Sequence, residues 1–188
     1  RRLTGVPTGT AFIQVDSRGE NTIVVVQGAN AHVALPVGDV EPQVVVTQNE
    51  IPPAAQQEAV ALAARTGARL VINAAPAPES PPPWYGAADP LVVNEHEAAQ
   101  LATSDEAGAG LLRQLRERTG ARSVVMTLGE RGALVDDGTE VHAIPPVVVE
   151  QVVDATGAGD TFVGVLAARL ARGNDVVAAA SAANRCAA

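Results

Sequence analysis

Apolar and polar residues alternate with the two-residue period of a β-strand near the start of the chain. The alternation runs over Thr10 to Asp16, and a second apolar stretch over Thr22 to Gln27 follows the polar, turn-like Ser17 to Glu20. Side chains two residues apart share one face of a strand, so each run can bury one face. Two such runs around a glycine-containing turn predict a β-hairpin.

Further along the chain, short apolar runs alternate with longer segments of helical character. This alternation is typical of an α/β fold with a doubly wound, mostly parallel, Rossmann-like sheet, whose ligands bind at the carboxyl ends of the strands. The predicted strands are 43–47, 69–72, 91–93, 122–128 and 147–149; the predicted helices are 53–66, 95–102, 106–118, 158–171 and a last one after Asp175; a hairpin joins 132–136 to 140–144.

Composition and charge narrow the class of protein. With 47% hydrophobic and 18% charged residues among 188, the chain can build a globular core. The net charge of −8 argues against non-specific binding to nucleic acid, and no apolar run is long enough for a membrane span. The single cysteine, Cys186, fits a reduced cytoplasmic protein and is expected in the core, whereas Trp84 and Tyr85 are expected to pack at the surface.

A glycine-rich turn, DATGAGDTF at 154–162, precedes the helix predicted at 158–171. Gly157 and Gly159 allow a tight turn, and the free N–H groups of a helix start can bind an anion such as a phosphoryl group. Asp160 could then accept a proton from an attacking alcohol. The residues alone leave open a plain helix start with Asp160 as the N-cap. A P-loop is excluded, because the chain contains no Lys.

Other polar residues at the ends of strands have two interpretations each. Asn94 suits a ligand contact or a helix N-cap. The segment with Thr127, Gly129 and Gly132 suits a nucleotide loop or an ordinary turn. Glu50 lies in a turn before Pro52 that would suit a solvated carboxylate equally well.

The glycine-rich turn is similar to the C-terminal signature of the PfkB-type carbohydrate kinase family, with Ala155 where the family usually has Thr. Five more segments resemble the ribokinase branch of that family, and all occur in the family's order over essentially the whole chain. They are GVPTGTAFIQVDSRGENTIVVVQGANA, TQNEIP, INAAPA, VVNEHEAAQL and MTLGERGAL. The resemblance implies a ribokinase-like fold, with a partial β lid at 1–30 and the α/β kinase core at 31–188.

The resemblance implies ATP-dependent phosphorylation of a sugar, first of all D-ribose to D-ribose 5-phosphate. Asp160 would be the general base, and the amides of Gly157, Ala158 and Gly159 would form the anion hole. Asp154 and the carbonyl of Thr156 resemble the site of a monovalent cation, typically K⁺.

The resemblance also implies the nucleotide and sugar contacts. Asn94 and Glu97 match the residues that organise Mg²⁺ and phosphate, Glu97 acting through water. Glu50 matches a contact to the sugar hydroxyls. Nucleotide contacts are further implied for Thr127, Gly129, Gly132 and Asn184.

Two features of the family are not matched in this chain. The glycine-rich sugar motif that precedes the lid is missing, and so are the elements that follow the last helix, so the chain is expected to be a kinase truncated at both ends. Another sugar or nucleoside kinase of the family, or a non-catalytic remnant that binds nucleotide, stays open. The resemblance also implies a homodimer formed through the lid.

Overall fold

The structure is a computed structural model that describes residues 3–15, 21–35, 38, 40–148 and 156–188. Near its start, strands β1 (Thr10–Val15) and β2 (Asn21–Val26) pair antiparallel, with Phe12 opposite Val24. The two predicted strands of the hairpin are therefore confirmed. Its predicted turn, at 16–20, lies outside the described residues.

The second sheet has six strands in the order β3-β4-β5-β6-β7-β8. The first four are parallel, while β7 and β8 are antiparallel to their neighbours, which confirms a mostly parallel sheet. The bounds are β3 Val44–Gln48, β4 Arg69–Asn73, β5 Leu91–Asn94, β6 Val124–Thr127, β7 Ala133–Asp136 and β8 Val141–Ile144.

Helices cover both faces of this sheet, as a doubly wound fold requires. Successive strand residues point to opposite faces, so Leu70 and Ile72 of β4 pack in one hydrophobic cluster and Val71 in the other. The first cluster includes residues of α1 (Pro53–Thr66), α2 (Glu95–Ala102) and α3 (Gly108–Thr119). The second includes residues of α4 (Ala158–Leu170) and α5 (Val176–Ala187). Among the described residues, no helix combines the length and apolarity needed to cross a bilayer.

Three expectations from the sequence are wrong. Tyr85 is completely buried, because its hydroxyl finds a hydrogen-bond partner in Asn49. Cys186 is exposed, since it lies on the outer face of α5. Val147 and Val148 form no strand; Val148 is 95% exposed, and an apolar run without a neighbouring strand to pack on does not form a sheet. Val149 lies outside the described residues.

Candidate active site

The carboxyl ends of β4, β5 and β6 meet the N-terminus of α4 at a pocket of about 190 Å³. Each of these three strands contributes a polar residue to its wall, namely Asn73, Asn94 and Thr127. Gly159 and Asp160 line the opposite side, from the first turn of α4. Four predicted site residues are therefore brought together, as expected for the ligand-binding end of such a sheet.

The first turn of α4 has the geometry of an anion site. Gly157 is the N-cap, with a left-handed φ of +78°, and the N–H of Thr161 donates the first helical hydrogen bond to its carbonyl at 2.8 Å. The N–H groups of Ala158, Gly159 and Asp160 therefore precede the helical hydrogen-bond ladder. Beside Gly159 there is open space where a side chain would be, so a ligand can approach the backbone closely.

Asp160 is the third residue of α4, and its side chain is exposed. The interpretation of Asp160 as the helix N-cap is wrong, because Gly157 occupies that position. Within the described part of the chain, the Asp160 carboxylate accepts no hydrogen bond, so both of its oxygens can accept a proton from a ligand.

Asn94 and Glu97 form a reciprocal capping box at the start of α2. The Asn94 Oδ1 accepts from the Glu97 N–H, and the Glu97 Oε2 accepts from the Asn94 N–H, both at 2.8 Å. Burial raises the pKa of the Glu97 carboxyl above its ordinary value, although the hydrogen bond from Asn94 lowers it in part. Asn94 is therefore confirmed as the N-cap of α2, and because it also lines the pocket, its contact with a ligand stays a prediction.

The described residues contain no group of three or more His, Cys, Asp or Glu side chains that could hold a metal ion. Glu97, which is only 9% exposed, does not line the pocket directly. The donors near the pocket are the Asn94 amide and the Glu97 carboxylate. This small donor set fits Mg²⁺, because that ion keeps several waters and is often held by substrate phosphates with few carboxylates. Asp154 lies outside the described residues, and Thr156 is exposed just before the N-cap of α4.

The predicted nucleotide loop follows β6 as a short 3₁₀ turn at Gly129–Arg131. Gly132 is buried with a φ of +90°, and a Cβ there would clash with the Ile144 carbonyl oxygen and lie 2.9 Å from the Pro145 carbonyl carbon. The Asn184 side chain of α5 donates to the Pro145 carbonyl at 3.0 Å. Gly132 and Asn184, two predicted nucleotide contacts, therefore both lie beside Pro145. Pro145 follows β8, and β7 separates β8 from Thr127 on β6.

Glu50 lies apart from the pocket, exposed in the turn after β3. Its neighbour Asn49 holds this turn in place, because the Asn49 Nδ2 donates to the Pro76 carbonyl at 2.7 Å and to the Tyr85 hydroxyl at 2.8 Å. The Asn49 N–H also donates to the Ala75 carbonyl at 3.1 Å. The sequence analysis gave neither Asn49 nor Tyr85 a role in holding this turn, and their contact spans 36 residues of chain.

Asn73 is a pocket residue that the sequence analysis missed, although it lies within INAAPA. A signal was available, because Asn73 ends an apolar strand just as Asn94 does. Polar residues at the ends of consecutive parallel strands meet at one edge of the sheet.

Comparisons with known proteins agree with this geometry. The family model described as pfkB family carbohydrate kinase matches residues 1–188. The chain is 38% identical to mouse ribokinase over 177 residues, which are 87% of this chain and 54% of the mouse protein. It superposes on ribokinase from Thermotoga maritima with a TM-score of 0.83 at 29% identity, covering 97% of this chain and 63% of that one. It also superposes on Arabidopsis thaliana ribokinase complexed with ribose and ATP. The TM-score is 0.80 at 25% identity, and the match covers 97% of this chain and 64% of that one. The chain thus spans about half of its mouse relative.

Proposed function

The chain belongs to the pfkB family of carbohydrate kinases, and we propose that it carries the catalytic site of a ribokinase, which transfers the terminal phosphate of ATP to D-ribose. The observation that carries the proposal is one pocket that is lined by Asn94 and, from the first turn of α4, by Gly159 and Asp160. A base and an anion site within one pocket are the two elements that phosphoryl transfer to an alcohol requires.

In the proposed reaction, Asp160 accepts the proton of the primary hydroxyl of ribose while the hydroxyl oxygen attacks the terminal phosphorus. A bond forms between that oxygen and phosphorus, and the bond from phosphorus to the bridging oxygen of ADP breaks. The amides of Gly157, Ala158 and Gly159 stabilise the negative charge on the transferred group. The products are D-ribose 5-phosphate and ADP.

Two ions belong to the proposal. Asn94 and, through water, Glu97 would hold Mg²⁺ at the ATP phosphates, where the ion supplies charge neutralisation. Asp154 and the Thr156 carbonyl would hold K⁺ next to the glycine-rich turn. The nucleotide itself would lie along Thr127, Gly129, Gly132 and Asn184. Because Thr127 lines the same pocket as Gly159 and Asp160, the triphosphate would end at the start of α4.

Ribose is the proposed acceptor because the relatives of similar sequence include mouse ribokinase, and Glu50 is its proposed hydroxyl contact. Another sugar or a nucleoside remains the alternative acceptor. A second candidate function is nucleotide binding without transfer. It is favoured by one observation: Asn94 and Thr127, two proposed nucleotide contacts, line the pocket, whereas Glu50, the proposed sugar contact, does not.

The test measures ADP formation by the 188-residue chain with ATP, Mg²⁺ and K⁺, in the presence of ribose, fructose or adenosine. Ribose-dependent ADP formation is the expected result. Stimulation by adenosine or fructose alone would replace ribokinase by another kinase of the family. ATP binding in calorimetry without any acceptor-dependent turnover would favour the second candidate.

Homodimerisation through the β1–β2 hairpin and a cytoplasmic location complete the proposal. Support for the dimer comes from exposed apolar side chains on both faces of the hairpin, including Phe12 and Val24 on one and Ile13 and Val25 on the other. Apolar surface of this kind marks protein–protein contacts.

A further inference from the structure

Asn73 occupies a central position at the ligand-binding edge of the sheet. It is the last residue of β4 and lies in register with Gln48 of β3 and Val92 of β5. Its side chain is half-buried and lines the same pocket as Asp160 and Asn94. The proposed reaction does not use the Asn73 side chain.

The side-chain amide of Asn73 has no hydrogen-bond partner in the part of the chain that the structure describes. Other asparagines near the site are engaged: Asn49 donates to two oxygens, Asn94 caps α2 and Asn184 donates to Pro145. A half-buried amide with two free N–H donors on a pocket wall is suited to a ligand oxygen.

The order of the strands indicates which part of a ligand Asn73 would meet. The end of β3 carries Glu50, the end of β4 carries Asn73, and the end of β5 carries Asn94. Asn73 therefore lies between the proposed sugar contact and the proposed phosphate contact, in the pocket where Gly159 and Asp160 form the opposite side. In phosphoryl transfer, the group found between acceptor and nucleotide is the terminal phosphate.

We propose that Asn73 contacts the transferred phosphoryl group, its Nδ2 donating a hydrogen bond to a non-bridging oxygen of the terminal phosphate. This inference rests on the proposed kinase function. A neutral donor that faces the anionic group from the strand side complements the amides of α4 on the other side. Removing one donor of this kind typically lowers kcat by about 100-fold or more.

The inference distinguishes ligands with three phosphates from ligands with two. In Asn73→Asp, a carboxylate of nearly the same shape replaces the amide and repels the terminal phosphate. We expect affinity for a non-hydrolysable ATP analogue to fall by about tenfold or more, and affinity for ADP, which lacks that phosphate, to change by less than about threefold.

Calorimetric titration of the 188-residue chain with both ligands tests this expectation, with Asn174→Asp as the matched control. Asn174 lies between α4 and α5, and its backbone carbonyl accepts a hydrogen bond from Arg69 at the amino end of β4, opposite Asn73. The control makes the same change of charge away from the pocket and is expected to leave both affinities unchanged. A second variant, Asn73→Ala, removes the side-chain donors, and its kcat for ribose phosphorylation is measured beside the titrations.

Equal losses of affinity for both ligands in Asn73→Asp, or no loss for either, would overturn the inference. So would an Asn73→Ala variant whose only change is a lower melting temperature. If the wild-type chain binds the triphosphate analogue but phosphorylates no sugar, the proposed function fails, whereas the ratio of triphosphate to diphosphate affinity in Asn73→Asp still decides the role of Asn73.

Discussion

At the scale of single residues, Gly132 shows that backbone conformation shapes the predicted nucleotide loop. Its φ of +90° favours glycine, and the space that a side chain would need is taken by the backbone of Ile144 and Pro145. Pro145 is also the residue that accepts the hydrogen bond from Asn184. A change at Gly132 is therefore transmitted to α5 as well as to the loop.

Gly132→Ala is expected to destabilise the fold by about 2–4 kcal/mol, because it combines an unfavourable φ with a steric clash. Gly129→Ala is the matched control: its φ is +57°, and no atom lies within 4 Å of the added Cβ, so a loss of about 1 kcal/mol is expected. Chemical denaturation of both variants measures the difference. Equal stability of the two variants would contradict the packing described at Gly132.

At the scale of elements, the turn after β3 is tied to the loop at 75–90 by Asn49. The buried Tyr85 accepts one of the two hydrogen bonds from the Asn49 side chain, and Glu50, the proposed sugar contact, is the next residue in the chain. The burial of Tyr85 thus connects the hydrophobic core to the position of Glu50.

Tyr85→Phe removes the hydrogen bond from Asn49 and is expected to lower stability by about 1 kcal/mol. Because Glu50 then loses part of its support, KM for ribose should rise by roughly threefold to tenfold with little change in kcat. Trp84→Phe is the control, since its indole N–H donates at 3.2 Å to Gln56 of α1 and not to the β3 turn. An unchanged KM in Tyr85→Phe, measured by steady-state kinetics, would separate Asn49 from the sugar site.

The capping box of α2 makes a prediction about pH. Burial raises the pKa of Glu97 from its ordinary value of 4.5, so the folded chain holds this proton more tightly than the unfolded chain. The contribution of Glu97 to stability is therefore complete below pH 4.5 and is lost as the pH rises through the raised pKa. Glu97→Gln keeps the acceptor for the Asn94 N–H and cannot ionise.

We therefore expect the melting temperature of Glu97→Gln, relative to wild type, to be higher at pH 7 than at pH 4. Thermal unfolding of both proteins across this range provides the measurement. A difference that stays constant with pH would show that Glu97 ionises equally easily in the folded and unfolded chain.

Local patterns predicted most elements of this fold, because the signals at their ends are local. Gly67, the predicted stop of α1, adopts the left-handed conformation that ends it, and the Asp175 side chain caps α5. The burial of Tyr85 could not be predicted this way, since its partner Asn49 lies in another element. Val147 and Val148 resemble a strand in composition alone, and a strand also needs a neighbour.

At the scale of the whole molecule, the topology of the sheet explains how far the site could be predicted. Asn94, Thr127 and the pair Gly159 and Asp160 belong to three separate motifs, and the fold brings them into one pocket. The position of Glu50 outside that pocket could not be read from its motif, because the order of motifs along the chain does not give their distances. Asn73 was missed because its residue type is also common in turns.

The hairpin of β1 and β2 leads to a prediction about assembly. Phe12 and Val24 are a cross-strand pair, 62% and 59% exposed. If the hairpin forms the dimer interface, Phe12→Glu should shift the chain from dimer to monomer in light scattering coupled to size-exclusion chromatography. Val148→Glu, which changes an exposed valine outside the hairpin, is the control and should leave the mass unchanged. A monomeric wild type would rule out the proposed dimer.

The central claim is that Asp160 is the base for phosphoryl transfer, and Asp160→Asn tests it most directly. Because Asp160 is exposed and, among the described residues, accepts no hydrogen bond, the variant should melt at the wild-type temperature. Asp175→Asn, which makes the same change at the N-cap of α5 and keeps a good capping residue, is the control. The account predicts that kcat for ribose phosphorylation falls by at least about 100-fold in Asp160→Asn and stays near wild type in Asp175→Asn. Turnover that survives in a folded Asp160→Asn variant would contradict it.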